Sequence, residues 1–171
     1  PTANPHTVIP AELPEDVQSQ LGDSNSATTA QEANSAPGEA FTYNLYERPF
    51  TADMTYRPDL DITSAKLSFG DDFTYIEIKL QGQHSEGGLQ GRYGFELDSD
   101  NDGRGDVLVL ASNPQAEWTT AGVFAWSDNN GDVGGSTPIT ADDQPGDGYE
   151  TVVFEEGIND PDIDLLWARL S

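Results

Sequence analysis

The sequence predicts an all-β fold, a β-sandwich of jelly-roll type with an extended N-terminal arm. Three observations predict it. From residue 41 onward about nine short runs of alternating or β-branched residues follow one another, each bounded by a Gly, Asn, Asp or Pro cluster. No stretch in that region carries a long helical periodicity. Two of the runs flank a tight turn, Gly70-Asp71-Asp72, as the strands of a hairpin do. Short strands separated by turn signals suit two packed antiparallel sheets.

The arm comes first. Residues 1–40 contain no aromatic residue, and the run 24–40 (SNSATTAQEANSAPGEA) is almost wholly small and polar, a composition that cannot bury a core by itself. Residues 14–21 (PEDVQSQL) predict a short helix, with Pro early, acids in the first turn and Gly22 as the stop. Thr7-Val8-Ile9 is the one β-prone apolar patch of the arm. Composition alone suits a linker or stalk. An extended segment can also add to an open sheet edge of another copy, which makes residues 1–22 the expected contact of a homo-oligomer or polymer.

The sandwich is expected over residues 41–171. Phe41, Tyr43 and Leu45 alternate with Thr42, Asn44 and Tyr46, as a half-buried strand would. Residues 62–69 (ITSAKLSF) and 73–80 (FTYIEIKL) make the clearest hairpin; in the second, Ile76, Ile78 and Leu80 share one face, and Glu77 and Lys79 the other. Residues 81–90 are a Gly-rich loop. Residues 91–97 (GRYGFEL) and 107–112 (VLVLAS) follow as strands, then 117–120, 122–126, 150–154 and 163–170. A chain of 171 residues is long enough for one substantial domain, and one core is the expectation.

Charge narrows the partners. Seven Lys and Arg against 31 Asp and Glu give a formal net charge of -24, which excludes nucleic acid and anionic membrane surfaces as electrostatic partners. Cations are the natural counter-charge. Further metal sites and a solvated acidic surface adapted to high salt or low pH both account for the excess. There are no cysteines, so a metal is the available substitute for disulfide cross-links. No apolar run approaches membrane-spanning length, so no membrane insertion is expected. A start at Pro1 without Met is expected of a processed, secreted form.

One stretch specifies a chemistry. In DSDNDGRGD, residues 98–106, alternate spacing turns the carboxylates of Asp98, Asp100 and Asp102 to the inside of a curve, and Gly103 stands where the chain turns around a hard cation. The run resembles the calcium loops of EF-hands, dockerins and thrombospondin type 3 repeats. That resemblance implies Ca2+ ligands at Asp98, Asp100, Asp102, the backbone carbonyl of Arg104, and Asp106. The last EF-hand position, a bidentate Glu, is here Val109, and the flanks are strands. The expectation is therefore a calcium-clamped hairpin whose missing ligand comes from another loop, among Asp128, Asp132, Asp142, Asp143 and Asp147. Such weak calcium loops fill outside cells, where calcium is abundant, so the location expected is extracellular.

A second loop, DNNGD, repeats the alternate spacing at Asp128, Asn130 and Asp132, but its Gly falls between the ligands. It reads as a separate calcium site, a donor to the first, or a plain turn. Enzyme chemistry has little to stand on. His6 and His84 lie in the polar arm and in a Gly-rich loop without a motif around either, and no soft ligand set for zinc exists. Trp126 and Trp167 follow apolar residues and are expected in the core, whereas Trp118, between Glu117 and Thr119, is the expected exposed aromatic and the candidate for stacking on a sugar.

The run DITSAKLSFGDDFTYIEIKLQG, followed after a loop by GRYGFELDSD, resembles the core of secreted sandwich domains similar to the family 9 carbohydrate-binding modules. It implies their fold and carries over no sugar-binding residue. The resulting expectation is a non-enzymatic, extracellular, calcium-stabilised structural protein that assembles through its arm. The alternative is a carbohydrate-binding or adhesion module with a polysaccharide partner.

Overall fold

Alternation of apolar and polar residues builds the first sheet. In this computed structural model, which describes residues 9–10, 12–23, 25–27, 49–53, 55–129, 131, 133, 148–149, 151–154 and 166–170, the sheet has three antiparallel strands, β1 (Val17–Gly22), β2 (Ile62–Phe69) and β3 (Thr74–Leu80), in that order. The β2–β3 hairpin turns where the sequence places it, with Gly70 N donating to Phe73 O at 2.9 Å. Leu67 stands opposite Ile76 and Ala65 opposite Ile78, while Lys66 stands opposite Glu77 and pairs with it at 2.6 Å. Apolar residues thus gather on one face of the sheet and charged residues on the other.

β1 corrects the expectation of a helix at residues 14–21. Val17–Gly22 is extended and pairs antiparallel with β2, with Leu21 opposite Ala65 and Gly22 opposite Ser64. All six of its residues are exposed. A lone two-turn helix has little stability in water, and this one would have only Val17 and Leu21 on an apolar face. Ladder hydrogen bonds to β2 satisfy the same backbone groups at once, so the segment becomes an edge strand.

The second sheet holds β4 (Arg92–Leu97), β5 (Val107–Ser112), β6 (Val123–Ser127) and β7 (Thr151–Phe154), again antiparallel and in chain order. Both of its faces are covered. On one, Val109 packs with Val123, Ala125 and Phe154; on the other, Leu108 packs with Val133 and the fully buried Tyr149, and Leu110 and Trp126 lie against them. Burial on both faces explains why β5 reads as a continuous apolar run instead of an alternating one. Runs 117–120 and 163–170 do not form full strands among the described residues. They meet in one bridge, Thr119 with Ala168, closed by two hydrogen bonds of 3.0 and 2.8 Å. The strand expected at 41–46 lies outside the described residues.

The molecule is all-β, with two antiparallel sheets of the kind a β-sandwich is built from. Among the described strands every paired neighbour is a neighbour in sequence. The chain divides into two compact units, Pro10–Gly91 with the first sheet and Arg92–Ser171, joined by Ile9, with the second. The expected division after residue 40 lies outside the described residues. Among those described, no helix is long and apolar enough to cross a membrane.

Candidate metal centre

Asp98 organises the loop between β4 and β5. Leu97 stands opposite Val107, and Asp106 N donates to Leu97 O at 2.7 Å, so the neck of the hairpin is closed. Inside it, Asp98 Oδ1 accepts from Asn101 N at 2.7 Å and Asp102 N at 3.2 Å, and Asp98 Oδ2 accepts from Gly103 N at 2.9 Å. Asp100 Oδ1 accepts from Asp102 N at 3.1 Å, and Asp102 Oδ1 from Arg104 N at 2.9 Å. Each acid thereby caps the amides just ahead of it, the habit that makes Asp frequent in tight turns. Asn101 (φ 63°) and Gly103 (φ 88°) are left-handed, a conformation that Asn tolerates and Gly adopts freely.

Three carboxylates converge. Asp98, Asp100 and Asp106 each offer an oxygen, and the three oxygens lie within 4.8 Å of one another. Calcium takes oxygen ligands at about 2.3–2.6 Å, so one ion among these three would touch all of them after small adjustments. Asp106 Oδ2 accepts from both the hydroxyl and the amide of Ser99, and these bonds, the hydroxyl's first, hold its pKa below the ordinary value. Asp106 therefore stays ionised, as a ligand must.

Other expected ligands take different places. Asp102 is not one of the converging three; its carboxylate serves Arg104 N. The Arg104 guanidinium donates to Gly131 O, and Asp128 N donates to Asp106 O at 2.9 Å, so the two acidic loops are tied together. Asp128 closes its own turn, Oδ1 accepting from Gly131 N at 2.8 Å and Oδ2 from Val133 N at 3.0 Å. Asn130, Asp132, Asp142, Asp143 and Asp147 lie outside the described residues.

Behind the loop stand residues that sequence reasoning missed. Gly105 is buried, and a Cβ there would fall 2.0 Å from Glu96 Oε1 and 2.1 Å from Tyr149 Oη. The second glycine of the DGRGD run is thus needed for space, where the first is needed for φ. Burial raises the Glu96 pKa, and the charge of Asp98 adds to the effect. Burial, then the charge of Glu96, pushes the Tyr149 hydroxyl well above its usual range. The Tyr149 Oη is buried and faces the Glu96 carboxylate. Glu96 was legible as an acid on the strand entering the loop; nothing local announces Tyr149.

The tryptophans are all half-buried. Trp118, expected to be exposed, carries the Arg169 guanidinium 4.8 Å from its ring centroid, which occupies one face of the ring. Trp126 stacks on Phe124, ring centroids 5.7 Å apart. No protein-family model, curated protein or solved structure matches the chain.

Proposed function

We propose that the chain is a non-enzymatic, extracellular structural protein whose β4–β5 hairpin is clamped by calcium. The observation that carries this reading is the convergence of Asp98, Asp100 and Asp106 on one point of a closed hairpin. Three carboxylates so close repel one another, and a divalent cation turns that repulsion into attraction. With a formal net charge of -24, copies of the chain also repel, and millimolar calcium screens or bridges them. Self-assembly then falls to the arm ahead of β1, because Val17–Gly22 is already paired to β2 of its own chain. Ile9, 61% exposed, supplies an apolar contact there.

Light scattering of the full chain and of a form lacking residues 1–16, each with calcium and with chelator, tests the assembly. The expected result is growth in size only for the full chain in calcium. A full chain that stays monomeric, or a shortened one that assembles equally well, contradicts the structural role.

A further inference from the structure

Pairing with β2 uses only one edge of β1. Within the Pro10–Gly91 unit β1 is the end strand of its sheet, and all six of its residues are exposed, so its other edge is open to a further strand. Natural edge strands are blunted by charges, prolines or bulges. β3, at the opposite end of the sheet, carries Glu77 and Lys79. β1, VQSQLG, has neither a charge nor a proline, in a chain of formal net charge -24. Its one irregularity lies between Val17 and Ser19 and leaves Ser19–Gly22 in regular register with β2. The ladder runs one residue further, since Asp23 N donates to Thr63 O at 2.9 Å.

That bond also fixes which backbone groups face outward. They alternate along an antiparallel ladder. Asp23, Leu21 and Ser19 turn theirs to β2, so Gln20 and Gly22 turn their N–H and C=O to the open edge. Residues 19–23 are thus a regular stretch centred on Leu21, with one outward-facing residue on either side of the centre. Such a stretch is complementary to itself under a two-fold rotation.

We propose that the open edge of β1 docks a second copy of the chain, the two β1 strands pairing antiparallel about Leu21 so that two three-stranded sheets become one. Gln20 then stands opposite Gly22 of the other copy and Gly22 opposite its Gln20, each pair exchanging both N–H···O bonds. Leu21 meets Leu21 in the closer, non-hydrogen-bonded kind of pair. Leu21 is 45% exposed and lies in line with Ala65 and Ile78 across the sheet, so the contact covers it and prolongs the apolar face. Asp23 falls opposite Ser19 instead of another acid. No charge along the edge selects a partner of opposite sign, and the fit of the stretch to its own image selects a second copy. So short an edge buries less than the roughly 1,000 Å² of a stable complex, and the copies repel. The dimer therefore forms at high protein concentration and tightens as salt screens the charge. It needs neither calcium nor the arm.

Sedimentation of the full chain in chelator, at low and at high sodium chloride, tests the proposal together with disulfide trapping. The dimer should grow with protein concentration and with salt. Gln20→Pro, which removes an outward N–H, should weaken it about tenfold or more. If that variant does not fold, Gln20→Glu, which sets a negative charge on the open edge, should weaken it likewise. The chain has no cysteine of its own, so Leu21→Cys should join two copies under mild oxidation, whereas Ser19→Cys, facing Asp23 of the other copy, should not. A full chain that stays monomeric in chelator at high salt, or equal trapping at positions 19 and 21, overturns the proposal. Either result leaves assembly through the arm standing, since that is read in calcium and by removal of residues 1–16.

Discussion

Asp59 shows how this acidic chain buries a charge when a cation is to hand. It is fully buried, and Arg57 grips both of its oxygens, Nε at 2.8 Å and Nη2 at 2.6 Å, with Gln90 N at 3.3 Å. The Arg57 hydrogen bonds hold its pKa below 3.8 although burial pushes the other way. Arg57→Met should cost about 3–5 kcal/mol, since it strands a buried carboxylate. The sign with pH follows from the lowered pKa. The pair stabilises the fold above the unfolded value of 3.8, and the contribution is lost as pH falls through the lower folded value. Denaturant unfolding should therefore show the penalty at neutral pH and a smaller one below pH 3.8; an equal penalty at both would mean that Arg57 acts through packing alone. At this scale the sequence was readable in part where the acids sit within one loop. Asp98, Asp100 and Asp106 offer oxygens to one point, where alternate spacing implies Asp98, Asp100 and Asp102, and Tyr149 under Gly105 comes from a segment far along the chain.

Strands with a period of two were legible, and β1 was not. β2 and β5 begin and end where their alternating or β-branched runs do. β1 has no such pattern, because an edge strand held by its backbone needs no apolar face. The bond from Asp23 N to Thr63 O sets the alternation along that edge, so Leu21 N also points at β2 and Gln20 N points away. Leu21→Pro should then cost about 1–2 kcal/mol through the lost ladder bond, and Gln20→Pro less. Thermal melts of the two variants check this. Equal effects would mean that β1 is not held by the observed register. Residues 163–170 read as a strand because of their apolar run, yet the described part contributes only the bridge at Ala168.

At the scale of the whole molecule, no disulfide cross-links the chain and its net charge works against compactness. Calcium bound at the proposed hairpin site offsets both. A ligand that binds only the folded state stabilises it by about 2.7 kcal/mol at one hundred times its dissociation constant. For a chain of this size that is a rise of about 5–10 °C in melting temperature. The decisive measurement is the melting temperature of the full chain and of Asp98→Asn with Asp100→Asn, each in millimolar calcium and in chelator. The expected result is a rise with calcium in the parent and a clearly smaller one in the double variant; the same rise in both would show that the hairpin is only a turn.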